Sequence, residues 1–421
     1  MWRSMRIRNY RIWFSGALVS NLGTWLQTTA LTWLVLTQLT DDDAAAVGVL
    51  VAMQYLPPLL LVPITGWVAD RVDRRRALLL LNGILGILSL AIGVLLLLGA
   101  LTLPLLYALV LGMGVAIAFE SPMRNAFVSN LVDDELTSNA VSLNSASFNG
   151  ARLMGPAIAG WLLLAIGTGW SIVLNAFSFF NMTLALALIR TRELVPRARI
   201  TRATGFADGF RYMSTRSDLV VLTLMAVLLT AFGVNFPIYA STMAREFGQE
   251  ANAFGIIVSM LGIGSLTGAL LSARRRARVG VAIAAALLFA VAQAVSSFMP
   301  DMWAYGTVAV FVGFAVTTAM TTANGYIQSA TAVHLRGRVI AIYMALVFGG
   351  TPLGALAIGW TTNAAGPRAA IWLAAGAGTV AFLLGLLWHL LIGRPTRLAE
   401  IAAPDPEPGQ APVATSVEEE V

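Results

Sequence analysis

The stretch Gly66-Trp67-Val68-Ala69-Asp70-Arg71-Val72-Asp73-Arg74-Arg75-Arg76 puts four arginines into eleven residues between two long apolar runs. One helix long enough to cross hydrocarbon ends here, a short charged turn follows, and another such helix begins. A turn this short and this basic belongs on the cytoplasmic side of a membrane.

Composition points the same way. Mean hydropathy is +0.78, and 58% of residues are hydrophobic against 11% charged. Soluble domains carry about 25% charged residues. The apolar runs reach roughly twenty residues, the length an α-helix needs to cross ~30 Å of hydrocarbon. They lack the strict alternation of barrel strands. The chain has no cysteine, which removes disulfides, thiolate metal sites and cysteine nucleophiles. All 27 basic residues are arginine, so Schiff-base chemistry, Ser-Lys dyads and a Walker loop are excluded. His334 and His389 are far apart and outside any HExxH pattern, so no metal site or other cofactor is expected. A pI near 10.1 would suit a nucleic-acid partner, but the arginines follow membrane topology instead. The N-terminal flank of Arg3, Arg6, Arg8 and Arg11 resembles that of a signal peptide. The run after it is too long for an h-region and reads as a retained first helix.

The periodicity gives twelve spans, near 11–38, 46–69, 77–99, 104–130, 138–166, 169–190, 218–245, 252–272, 279–299, 302–330, 338–364 and 367–391. With both termini inside, the inner segments collect the N-terminal arginines, Arg71–Arg76, the central loop, Arg274–Arg278, Arg336 and Arg338. The outer loops hold only Arg245 and Arg368, with Asp41, Asp42, Asp43, Glu246, Glu250 and Asp301. That asymmetry sets the orientation. The expected organisation is an N-terminal six-helix bundle at 1–190, a cytoplasmic linker at 191–217, a C-terminal six-helix bundle at 218–392 and a disordered tail at 393–421. Phe206–Met213 within the linker reads as a short interfacial helix.

The halves resemble each other. Gly155-Pro156-Ala157-Ile158-Ala159-Gly160-Trp161 matches Gly354-Ala355-Leu356-Ala357-Ile358-Gly359-Trp360 at a shift of 199 residues, which also places Asn125 on Asn324. A shift of 202 places Gly66 on Gly268 and Asp70 on Ser272. Twelve spans split six and six, together with G-x-x-x-D-R-x-x-R-R at Gly66–Arg75, resemble the major facilitator superfamily over about residues 8–392. Gly150-Ala151-Arg152-Leu153-Met154-Gly155-Pro156 resembles the fifth-helix motif of its antiporter branch. Arg8-Asn9-Tyr10-Arg11-Ile12-Trp13-Phe14 and Asn21-Leu22-Gly23-Thr24-Trp25 resemble the subgroup of the enterobactin exporter and macrolide-efflux proteins. The resemblance implies an all-α membrane fold of two pseudo-symmetric bundles, and export of bulky, partly apolar drugs, antibiotics or siderophores coupled to proton entry. Two departures stand out. Asp73 replaces the usual loop glycine, and Ala108–Gly114 lacks the arginine often found in helix four.

The resemblance also assigns candidate residues. Gly66, Asp70, Arg71, Arg74 and Arg75 either form a cytoplasmic latch, with Asp70 facing the helix that begins near Arg338, or only fix topology. Gly150, Gly155, Pro156 and Gly160 either make a gating hinge or are plain packing, since small residues permit close helix approach. Glu120, Arg124 and Arg152 are charged within apolar spans, which marks functional candidates. At 1.5 Å per residue, Glu120 and Arg152 lie ~16 and ~21 Å in, close enough to pair. Arg124 shares the Glu120 face at i, i+4. The set is read as a proton-coupling site or a structural pair. Asn21, Thr24 and Thr28, then Asn149, then Asn235 and Tyr239, then Thr321, Asn324 and Gln328 belong to polar stripes at helical spacing, and with Trp25 and Phe232 among them are read as cavity lining or as interhelical glue.

The leading expectation is a monomeric, proton-coupled exporter in a bacterial inner membrane, with both termini cytoplasmic. Its partners are a small-molecule substrate, protons and the lipid bilayer. An uptake or facilitated-diffusion carrier for a neutral metabolite, or a non-transporting membrane sensor, are the alternatives. An enzyme is not expected, because no catalytic set is present.

Overall fold

The computed structural model describes residues 3–195, 206–275, 277–332 and 335–392. The tail at 393–421, His334, Arg276 and residues 196–205 of the linker lie outside these residues. All regular structure among them is helical, without a strand. The helices are α1 (Arg8–Leu34), α2 (Ala44–Arg71), α3 (Arg74–Leu97), α4 (Leu103–Asn130), α5 (Asp134–Leu188), α6 (Phe206–Thr215) and α7 (Ser217–Gly233). They continue with α8 (Phe236–Glu246), α9 (Ala251–Ala273), α10 (Val279–Ser296), α11 (Met302–Ala330), α12 (Arg336–Ala365) and α13 (Pro367–Leu391).

Local chemistry sets the boundaries. The Asp43 carboxylate caps α2 by accepting from the Ala46 amide at 3.0 Å. Asp301 caps α11 through Trp303 and Ala304. Asp73, unusual for the loop, caps α3 by accepting from the Arg76 amide at 2.9 Å. A side-chain cap satisfies an orphan helix donor, which glycine cannot do. The 66–76 stretch is therefore two helices separated by two residues, as the sequence implies.

Among the described residues, ten segments are long and apolar enough to cross a membrane. Two features separate this number from the expected twelve. α1 is omitted although 27 residues long, because it carries Asn9, Ser20, Asn21, Gln27, Thr29 and Thr32, all buried inside the protein. α5 counts once although its 55 residues would extend ~80 Å, more than twice the hydrocarbon thickness. It is broken at Gly167 (φ 78°, ψ 168°), a conformation essentially reserved for glycine. The second arm runs back to the end where the first began, since Arg75 on α3 reaches the Leu186 and Ala187 carbonyls.

The expected span at 218–245 is likewise two pieces, α7 and α8. Pro237 supplies no amide to the ladder. Asn235 fills the gap by donating to the Ala231 carbonyl at 2.6 Å and to the Thr351 carbonyl of α12 at 2.8 Å. The short helix anticipated in the linker is α6, whose Asp208 accepts from Arg338 of α12 at 3.3 Å.

α1 and α3 pack along α5, and α2 along α4; α9 and α10 pack on α11, and α7 and α13 join α10 and α12. Two seams connect these groups, α2 against α12 and α5 against α9. Leu80, Phe177, Leu353 and Trp360 project from the outer surface with more than half their area exposed, as expected of a surface solvated by lipid rather than water.

Because Gly167 occupies a glycine-only conformation, Gly167→Ala should destabilise the protein by about 1–3 kcal/mol. A lowered thermal midpoint of the detergent-solubilised protein, relative to Gly150→Ala in open space, checks this.

Candidate functional site

The helix ends define two faces. A basic end gathers Arg71, Arg74–Arg76, Arg190 and Arg336–Arg338. The opposite end gathers Asp42, Asp43, Glu246 and Asp301 with Arg245 and Arg368.

A cavity of about 630 Å³ opens between α1, α2, α4 and α12. Its lining extends to Thr65, Asn125 and Ala341, each within two helical turns of the basic end. The wall is mainly apolar, with Met113, Pro58, Phe179, Met344 and Phe348, and a few polar groups such as Gln27, Gln54 and Ser121. A second cavity of about 50 Å³ lies deeper, bounded by Trp25, Arg152, Asn235, Pro237 and Gly262. Thr28, Gln54 and Tyr55 line both.

Beyond the smaller cavity the protein is closed by backbone. A Cβ on Gly48 of α2 would meet the Ala355 carbonyl of α12 at 2.6 Å, and one on Gly359 of α12 would meet the Ala44 carbonyl at 2.5 Å. The other seam repeats this arrangement. A Cβ on Gly255 of α9 would meet the Pro156 carbonyl of α5 at 2.5 Å, and one on Gly160 would meet the Ala251 carbonyl at 2.8 Å. Pro156 and Gly160 fall on Ala355 and Gly359 under the 199-residue shift, so the internal repeat is visible as two equivalent backbone contacts. Polar bonds reinforce the first seam. Asn363 donates to Asp43 at 2.6 Å and accepts from the Ala44 amide at 2.9 Å. Arg245 makes a bidentate pair with Asp42 at 2.8 and 3.0 Å. The Asn363 amide, aided by the amides of Ala45 and Ala46, holds the Asp43 carboxyl below its ordinary value despite partial burial. Its contribution is thus present above the ordinary aspartate range and is lost only as pH falls through the depressed value. The Asn363–Asp43 link therefore does not titrate near neutrality.

The anticipated residues divide accordingly. Thr24 and Thr28 line the large cavity; Trp25, Thr28 and Asn235 line the small one. Phe232, Thr321, Asn324 and Gln328 line neither, and Gln328 donates to Asn324 at 2.9 Å. Tyr239 is fully buried against Phe236. The side chains of Asn149, Gly66 and Asp70 lie outside the described residues. Gly155 abuts Trp25, and Pro156 and Gly160 sit in the seam, whereas Gly150 faces open space. Arg74 bonds Asn130 at 3.0 Å and Arg75 caps the end of α5, so these two arginines hold the 8–195 region together rather than reaching α12.

Glu120 and Arg152 do not pair. Glu120 is buried at 3.6 Å from Arg124. Arg124 donates to Asn21 at 2.7 Å, and Asn21 donates to Ser147 at 3.1 Å, linking α4, α1 and α5. The expected Glu120–Arg152 match in depth ignored azimuth: Arg152 turns toward another part of α1, its guanidinium 5.6 Å from the Trp25 ring centroid. Sequence reading also missed Gln27, Gln54, Tyr55, Ser121 and Met344 in the wall. Gln54 and Tyr55, which interrupt the apolar run before Pro57 and Pro58, carried a readable signal.

Residues 1–420 match the family of transmembrane secretion effectors among major facilitator transporters. The chain belongs to that family. It is 26% identical over 371 residues to the multidrug efflux pump Tap of Mycolicibacterium fortuitum, covering 84% of this chain and 89% of that one. It is equally 26% identical over 360 residues to the staphyloferrin A transporter of Staphylococcus aureus, covering 82% and 87%. The crystal structure of a bacterial homologue of the human lysosomal transporter Spinster superposes with TM-score 0.72 at 16% identity, over 90% of this chain and 97% of that one; this likeness shows the fold. The protein is a multi-pass membrane transporter with efflux and siderophore-transport relatives, and not an enzyme.

A side chain at the seam should force it apart. Gly255→Val should cost about 1–3 kcal/mol by overpacking and expose the small cavity to the far end. With no native cysteine to interfere, faster thiol labelling of Thr32→Cys in the Gly255→Val background checks this.

Proposed function

We propose that this protein is a proton-coupled exporter of bulky, partly apolar small molecules, working as a monomer by alternating access. Its twelve spans form two six-helix bundles, 1–190 and 218–392, joined by the cytoplasmic linker 191–217 and followed by a cytoplasmic tail, 393–421. The basic end faces the cytoplasm of a bacterial cell, in keeping with the positive-inside rule, so the chain sits in the inner membrane with both termini inside.

One observation carries this reading. A cavity of about 630 Å³ reaches the basic end, while the opposite end is shut by two repeated glycine–carbonyl seams. That is the geometry of an inward-facing carrier ready to load from the cytoplasm, and the cavity is in the range of small-molecule sites. Transport then requires the seams at α2–α12 and α5–α9 to part while the basic ends close. Gly155, Pro156 and Gly160 act at the sliding surface. Asp70, with Gly66, Arg71, Arg74 and Arg75, belongs to the closing side.

Proton coupling is assigned to Glu120 with Arg124. Glu120 is the buried carboxylate of the bundle interior, and its only charged neighbour among the described residues is Arg124, which is also tied to α1 through Asn21. Movement of α1 against α4 changes that tie, and with it the preference of the carboxylate for a proton. Arg152 is not part of this unit.

Two results test the reading. Cysteines at Ala44 and Asn363, bridged by a short bifunctional reagent, should stop dye efflux from loaded vesicles, and the uncross-linked double variant should retain it. Continued efflux with the bridge in place would remove alternating access through this seam. Glu120→Gln should abolish efflux driven by an imposed pH gradient while leaving protein yield unchanged; full gradient-driven transport by that variant would remove Glu120 from coupling.

A further inference from the structure

Arg152 is a cation held deep in the protein without an anion. Among the described residues it makes no ion pair and no hydrogen bond to another side chain; its neighbours are the face of Trp25 and the Tyr55 side chain. Glu120, the carboxylate nearest in depth, is committed to Arg124 on a different face. No Asp or Glu among the described residues lines either cavity. A cation within an apolar span normally carries a counter-ion with it, since an aromatic face only partly replaces lost hydration. The indole Nε1–H of Trp25 is also buried without an acceptor. Both residues line the small cavity, and neither donor has an acceptor among the described residues.

That place is continuous with the large cavity. Thr28, Gln54 and Tyr55 form part of both walls, so a molecule filling the 630 Å³ space can extend a small group toward Arg152. The volume beside Arg152, about 50 Å³, suits a group of a few atoms rather than a ring system. Guanidinium is the side chain best matched to a planar carboxylate, which it binds through two parallel hydrogen bonds.

Resting on the exporter reading above, we propose that the transported molecule is an anion: an amphipathic compound whose carboxylate docks on Arg152 beneath Trp25 while its apolar body occupies the cavity between α2, α4 and α12. Arg152 is then the residue that selects for negative charge. Cationic amphiphiles meet an uncompensated positive charge at the same point and find no acid in the wall to offset it. The site spans both seams' inner edges, with Trp25 and Arg152 on one side and Asn235 and Gly262 on the other, so an anion there is held by groups that separate in the opposite conformation.

The test compares 2-naphthoate with 2-naphthamide, which share one ring and differ in charge, by calorimetric titration of the full-length protein in nanodiscs. Wild-type protein should bind the naphthoate about tenfold or more tightly, as one charge-assisted pair requires. Arg152→Gln should erase that difference, and Arg152→Lys should keep part of it. Equal wild-type affinities for the two probes, absent binding of both included, overturn the proposal without recourse to any variant. So does a preference that survives Arg152→Gln. A transport arm separates the proposal from the reading beneath it. Proteoliposomes that move fluorescein and not ethidium support both. Movement of ethidium with fluorescein left behind overturns anion selection and leaves export standing. Movement of neither dye overturns the exporter reading itself.

Discussion

Contact between backbones, made possible by glycine, is the constraint on which the rest of the structure depends. At Gly48, Gly160, Gly255 and Gly359 a side chain would collide with a carbonyl on the facing helix. In hydrocarbon, helices gain little from hiding apolar side chains from lipid, because lipid is equally apolar. Close approach and van der Waals contact must supply the attraction. A seam built that way is tight at its glycines, and the side-chain bonds that cross it, Asn363 to Asp43 among them, must break for it to open. The two seams have the same chemistry because they are the same sequence segment used twice, Gly155–Gly160 and Gly354–Gly359. A closure assembled from two equivalent contacts opens most readily when both give way together.

The charges inside the helices divide between two tasks. Glu120, Arg124, Asn21 and Ser147 form a connected chain across α4, α1 and α5, in which each polar group offsets its neighbour. Gln27, Ser89 and Asn175 form another, where Gln27 accepts from both partners. These chains make the 8–195 region cohesive while leaving the cavity wall poor in charge. Arg152 stands apart from both. A cation that the fold could have paired, and did not, has its missing partner outside the fold.

Much of this was legible in the sequence, and what was missed has physical reasons. Gly66–Arg76 pointed to the membrane class because length, hydropathy and arginine placement are one-dimensional properties. The break at Gly167 was readable as the gap between spans at 138–166 and 169–190, whereas 218–245 read as one span because hydropathy does not register the interruption near Pro237. Depth along a helix was also readable, which is how Glu120 and Arg124 were joined correctly at i, i+4. Azimuth between different helices was not. The Glu120–Arg152 match failed on rotation about the helix axis, which no count of residues supplies without the packing partners. Thr321, Asn324 and Gln328 failed for a related reason: periodicity shows that they share a face but not which neighbour the face meets. Gln54 and Tyr55 were overlooked because the stripes were sought where polar residues recur, and α2 carries them once.

Asp73 shows how a departure from a family pattern can be read physically. A glycine in the short loop would let the chain turn freely, but would leave the first amides of α3 unmet. The aspartate stops the turn and accepts from the Arg76 amide. It thereby fixes the entry of α3, and α3 positions Arg75 against the last carbonyls of α5. Those carbonyls are the negative end of a helix dipole, where a guanidinium is favourable. The loop thus ties the return arm of α5 to α3. The first arm of the same helix carries Pro156 and Gly160 into the seam and Arg152 into the cavity. The arginines of the basic end therefore brace the helix that bears both the seam and the unpaired cation, so the two ends of the protein are connected through α5.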